Sequence, residues 1–121
     1  MGRQGLPPQA RIRKAADFER VRREGKYSPG PLLGVAAYDR GEGRSRLGLA
    51  VSGRVGGAVV RNTIKRRLRE AFRRNQGAIL PGWDVVLVAR PKAAAATFQA
   101  LQENIFAGLA RAGALRRKEK P

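Results

Sequence analysis

The chain has 121 residues, 26 Lys plus Arg against 9 Asp plus Glu, a net charge of +17, and neither cysteine nor histidine. That length suits one domain, and a hydrophobic fraction of 42% supplies a packed core, so the chain is not merely a charged disordered tail. The missing side chains exclude a disulfide framework, a thiol nucleophile, a thiolate metal site and the usual imidazole base.

Met1–Gln9 carries Gly2, Gly5, Pro7 and Pro8 and reads as a flexible arm without the apolar core of a signal peptide. Lys14–Arg23 follows with Ala15, Phe18 and Val21 at near-helical spacing, and Gly25 is placed to stop a helix. Ser28–Pro31 marks a turn. Leu32–Tyr38 and Arg46–Ser52 read as strands, and the polar, Gly-rich Asp39–Ser45 between them as a hairpin loop. Ala58–Asn75 is the strongest helical pattern, with Val60, Ile64, Leu68, Ala71 and Phe72 on one arc and Gly77 behind it. Trp83–Arg90 is apolar on both faces and is predicted to be a central strand. Pro91 ends it, and Thr97–Ala112 closes the chain with a helix striped by Leu101, Ile105 and Leu109. The order defines an α+β fold with a single domain over residues 10–113, followed by a basic tail over 114–121. No run approaches the roughly 20 apolar residues that cross a bilayer, so a soluble, cytoplasmic protein without a membrane partner is expected.

Charge is concentrated on the central helix. From Arg54 to Arg74 there are eight cations and one acid, and Arg61, Lys65, Arg69 and Arg73 recur every four residues with like charge. Such spacing costs a few tenths of a kcal/mol per pair unless an anion neutralises it. Asn62 and Arg66 share that polar arc, and an amide among cations can read a base edge or a 2′-hydroxyl. Twenty of the chain's cations are Arg and six are Lys, and the planar guanidinium grips phosphate with two donors and stacks on bases. A plain solvated face is the competing explanation, and the persistent repulsive spacing favours a polyanion instead. A second cluster, Arg11, Arg13, Lys14, Arg20, Arg22 and Arg23, surrounds Phe18. Phe18 is either a core anchor or a stacking platform for an unpaired base, Tyr38 carries the same two readings, and Trp83 reads as structural.

Catalytic constellations are missing. The nine acids are scattered, Ser28, Ser45 and Ser52 have no base in sequence context, and no phosphate-loop motif occurs.

The stretch from Leu47 to Arg73, with Val60-Arg-Asn-Thr-Ile-Lys-Arg-Arg-Leu-Arg-Glu70 at its centre, resembles the signature of the bacterial ribonuclease P protein subunit. The likeness extends upstream to Arg11-Ile-Arg-Lys14 and Asp17-Phe18-x-x-Val21, and downstream to Gly82–Pro91. It implies a four-stranded mixed sheet with a left-handed crossover, the fold of a domain of a small-subunit ribosomal protein. It also implies that a catalytic RNA, with Mg2+ held mainly by that RNA, removes the 5′ leader of precursor tRNA while the protein binds both RNAs and has no active site of its own. Neither a protein partner nor a protein-bound metal is implied. Arg54, Arg61, Asn62, Lys65, Arg66, Arg69 and Arg73 are then the RNA-binding set, and Arg13, Lys14, Phe18, Tyr38 and Ser52 the leader-cleft set. The chain departs from the family pattern at Thr63, at Gly53-Arg54 and at Gly56-Gly57-Ala58. Arg22 and Ala36 stand where aromatics are common, with Tyr38 two residues on and on the same face as Ala36. A ribosomal-type RNA-binding protein and a DNA-binding module remain the alternatives, the second disfavoured because no helix-turn-helix or dimer pattern occurs.

Overall fold

One strand divides the interior in two. Val85, Leu87 and Ala89 alternate with Asp84, Val86 and Val88, so each set points to a different side of the pleat. In the computed structural model, which describes residues 6–116, this strand is β4 (Trp83–Ala89). It lies inside a sheet that also holds β1 (Lys26–Ser28), β2 (Leu33–Asp39) and β3 (Arg46–Ala50), in the order β1-β2-β4-β3. β1 pairs antiparallel with β2, β2 antiparallel with β4, and β3 parallel with β4.

The larger core fills one face. Leu33, Val35, Ala37, Leu47, Val85 and Leu87 pack against Ile64, Leu68, Ala71 and Phe72 of helix α2 (Ala58–Arg74) and Leu101, Ile105 and Leu109 of helix α3 (Phe98–Ala112). Each of the large side chains among these, fully removed from water, contributes about 1.5–3 kcal/mol. Thr97 caps α3, its hydroxyl accepting from the Ala100 N–H at 3.0 Å. The second face carries a smaller cluster: Ile12, Val21, Ala36 and Val86, with Phe18 and Tyr38 packed on it, under helix α1 (Ala15–Glu24).

Several expectations change. Asp39–Ser45 is not a hairpin loop, because β4 lies between β2 and β3. The loop is tied instead to the turn before β4: Arg40 N–H donates to the Gly82 carbonyl at 2.7 Å, and Ser45 Oγ donates to the Leu80 carbonyl and accepts from Trp83 N–H. Lys26–Ser28, where the sequence pattern predicts no strand and only Ser28 in a turn, is an edge strand. β3 ends at Ala50 rather than Ser52, because Ser52 turns outward and its hydroxyl accepts from Arg54 N–H to open a 3-10 turn, Gly53–Val55. Val60 is 37% exposed, since the first turn of α2 stands clear of the sheet. The N-terminal arm is shorter than predicted: Leu6 is buried in the main core, and Ile12 N–H donates to the Leu47 carbonyl at 2.9 Å. At the other end Ala114 is buried and Leu115 bridges Ile79, so the domain runs past 113. The remainder of both predicted tails lies outside the described residues.

Asp84 is fully buried, and Arg46 closes on it with two donors, Nε at 2.8 Å and Nη2 at 2.7 Å. Those hydrogen bonds, ahead of Coulombic attraction, raise the Arg46 pKa above its ordinary value. Asp84→Asn removes the buried charge that Arg46 grips with two donors, leaving Arg46 only Asp17 at 3.5 Å, and is expected to cost about 2–4 kcal/mol in urea unfolding. A loss below about 0.5 kcal/mol contradicts a structural role for the pair.

Candidate nucleic-acid interface

Small residues on the second face of the sheet make room for rings. Gly48 of β3 lies beneath Phe18, where a Cβ would come within 2.6 Å of the ring. Gly34 of β2 lies beneath Tyr27 of β1, where a Cβ would again come within 2.6 Å of a ring carbon. Glycine inside a strand weakens it, so two such positions under two aromatics mark close approach as their use. Phe18 and Tyr27 line one groove of about 510 Å3 whose floor is Ala36, Ala50, Val86 and Val88. Glu19 and Arg22 form its rim on α1, Arg22 Nε donating to the Glu19 carboxylate at 3.3 Å. The rim is thereby neutral, and the groove is an apolar seat.

Phe18 also lines a second hollow, of about 200 Å3, with Ile12, Gly48, Arg11, Lys65 and Arg69. Here the cations of α2 meet the segment before α1. Arg11 is held in place by its Nε donating to the Leu6 carbonyl at 3.0 Å. Burial, and then the charge of Arg11, lower the pKa of Arg69 from its ordinary value. Ion pairs among the described residues go elsewhere. Asp17 pairs with Arg20 and Arg46, Glu19 with Arg22 and Arg23, Asp84 with Arg40 and Arg46, and Glu70 with Arg73 and Arg74. Arg11, Lys65 and Arg69 therefore face one another with no carboxylate partner among the described residues. An anion entering between them relieves that repulsion.

The predicted RNA-binding residues divide into groups. Lys65 and Arg69 line the basic hollow, while Asn62 and Arg66 are exposed on the same helix. Arg61 is half-buried, with Nη1 donating to the Gly56 carbonyl at 3.0 Å, and Arg54 is exposed in the turn after β3. Arg73 stands apart, because Nε and Nη2 both bind Glu70, at 3.1 and 2.6 Å. Of the leader-cleft set, only Phe18 lines the groove. Arg13 and Lys14 are exposed just before α1, and Ser52 is exposed beyond the end of β3. Tyr38 lines a different hollow, with Asp17, Arg20, Arg40 and Arg46, and the Arg20 guanidinium covers its ring at 5.2 Å. Tyr27 and Arg11 were absent from both sets. The interior strand glycines 34 and 48 were the available signal for the rings, and Arg11 lay visibly in the second basic cluster.

Among the described residues no three His, Cys, Asp or Glu side chains come together to hold a metal ion. The buried and half-buried carboxylates, Asp84, Asp17 and Glu70, are engaged by guanidinium groups. A resident Mg2+ therefore does not fit the carboxylates of the described residues.

An apolar seat beside unneutralised cations, on an α+β sheet, is the arrangement of a nucleic-acid-binding class of protein, in which bases meet apolar surface and phosphates meet cations. Residues 6–113 match the family model described as Ribonuclease P. The Ribonuclease P protein component of Roseiflexus sp. (strain RS-1) is 42% identical over 106 residues, covering 87% of each chain. The structure is similar to that of the Staphylococcus aureus RNase P protein, with a TM-score of 0.78 and 31% identity over 88% of this chain and 98% of that one. It is also similar to the RNase P protein from Thermotoga maritima, with a TM-score of 0.75 and 35% identity over 84% and 96%. The chain belongs to the ribonuclease P protein family.

Hydrogen bonds from Arg73 and then Arg74 hold the Glu70 carboxyl down at about 2. A depressed carboxylate stabilises the fold above its unfolded pKa, near 4.5, and the contribution is lost as pH falls through the folded value. In a carboxyl 13C titration Glu70 is expected to change well below pH 4, and a midpoint near 4.5 contradicts the pairing.

Proposed function

We propose that this chain is the protein subunit of ribonuclease P, binding the catalytic RNA through α2 and the unpaired 5′ leader of precursor tRNA through the groove beside α1. The observation that carries the proposal is Phe18, shared between an apolar groove and a hollow of Arg11, Lys65 and Arg69. A single strand needs both at once: a dry surface for bases and cations a few ångströms away for the phosphates joining them. Duplex DNA presents no splayed base to such a seat, which favours single-stranded RNA over groove reading.

The chain's own chemistry is binding and positioning. Two polyanions, the catalytic RNA and the precursor, repel each other, and a protein of charge +17 lowers that cost. Each phosphate neutralised releases counterions, so affinity falls steeply with salt. Asn62 and Arg66, exposed on α2, contact the catalytic RNA, while Lys65 and Arg69 face the junction with the leader. Hydrolysis belongs to the RNA subunit, and Mg2+ is held there. No helix of the described residues is long and apolar enough to cross a membrane. The proposed place of work is the cytoplasm, where precursor tRNA is made.

The protein with Mg2+ alone is expected to leave precursor tRNA intact, and to raise cleavage when reconstituted with the RNA subunit. Changing Lys65, Arg66 and Arg69 together to Ala flattens the slope of log affinity against log salt by up to about three. Cleavage without the RNA, or an unchanged slope, contradicts the assignment.

A further inference from the structure

We infer that Tyr27 is the second stacking wall of the groove, a specificity-determining residue that receives one unpaired leader base opposite Phe18. The inference rests on the groove being the leader seat and names the side chain that completes it.

Three observations carry it. Tyr27 sits at the centre of a three-residue edge strand, yet it is 55% exposed, among the most exposed large apolar side chains described. Its ring lies against the sheet over Gly34, where any side chain would displace it. The exposed side of the ring is therefore presented to the groove on a firm backing. Finally, register places Tyr27 opposite Ala36, Ala36 opposite Val86, and Val86 opposite Gly48, which lies under Phe18. The two aromatics thus flank a floor of small side chains. Three strand spacings separate Tyr27 from Gly48, about 14 Å of backbone. After the rings take their share, that leaves width for a flat heterocycle.

The groove has no other ring. Position 36 is Ala, and Arg22 on the rim is paired with Glu19, so neither adds an aromatic ring. Tyr38, on the same pleat side as Ala36, is already covered by Arg20. A base seated in the groove can stack on Phe18 from α1 and on Tyr27 from β1. An isolated apolar cover for Gly34 would need no aromatic, and an aliphatic side chain of similar reach would serve.

The test uses the reconstituted holoenzyme with two ligands, precursor tRNA bearing its 5′ leader and leaderless mature tRNA. Tyr27→Leu keeps an apolar cover over Gly34 and removes the π-face; Tyr27→Phe keeps both. We expect Tyr27→Leu to weaken binding of the leader-bearing RNA by about 5- to 150-fold, from the usual worth of one base–aromatic stack. Mature tRNA is expected to bind within twofold, Tyr27→Phe to behave as wild type, and the thermal midpoint to stay near that of the parent. A 2-aminopurine scanned along the leader is expected to lose its quenching at one position with Tyr27→Leu. Equal weakening of both RNAs, or no weakening, overturns the role of Tyr27. Phe18→Leu separates the two levels: a leader-dependent loss there with none at Tyr27 sinks this inference alone. No leader-dependent loss at either residue sinks the groove reading with it.

Discussion

A sheet buried on both faces by unequal covers is the constraint on which the rest depends. α2 and α3, of 17 and 15 residues, seal one face. α1 has only 10 residues, about 15 Å of helix, against strands of seven residues that run about 23 Å. One short helix cannot cover that face, so part of the sheet stays open beside it. Natural sheets line an open face with polar side chains, but here the floor beside α1 is apolar: Ala36 and Val86 are buried at its inner side, and Ala50 and Val88 are left exposed. An apolar strip left beside the helix in a chain of such charge is the surface on which the proposed leader seat rests.

Charge is arranged around the same strip by subtraction. Half of the described acids are paired with guanidinium groups of the chain: Asp84 under Arg46, Asp17 between Arg20 and Arg46, Glu19 on the rim, and Glu70 on the last turns of α2. These pairs engage Arg22 on the rim and Arg73 and Arg74 at the C-terminal end of α2. They leave Arg11, Lys65 and Arg69 together where the groove ends at Phe18. Net charge alone says that the chain likes polyanions, whereas the pairing pattern singles out cations that no described carboxylate engages. The N-terminal residues contribute directly, because the Leu6 carbonyl holds Arg11 against α2.

Much of this was legible in the sequence, and the rest was hidden for physical reasons. α2, α3 and the central position of β4 follow from periodicity, since long amphipathic runs and a doubly apolar strand have few other solutions. The loop Asp39–Ser45 misleads because composition cannot tell a hairpin from a loop that spans an inserted strand. β1 is invisible because three residues carry no period, and with it went Tyr27. Tyr38 and Arg73 sit at plausible positions by face and spacing. Which partner reaches them first, Arg20 for the ring and Glu70 for the guanidinium, is decided only by tertiary and rotamer geometry. The absence of His and Cys acquires a meaning only when the family places hydrolysis in an RNA.

The central claim is that the open strip beside α1 and the cations at its end form one continuous RNA surface. Amide shifts of the 15N-labelled protein, followed during titration with a single-stranded RNA of leader sequence, test it most directly. The account predicts coincident shifts at Phe18, Ala36, Val86, Lys65 and Arg69, with Leu101, Ile105 and Leu109 on the far side of the sheet unmoved. Shifts confined to α3, with Phe18 and Arg69 unaffected at saturation, would contradict it.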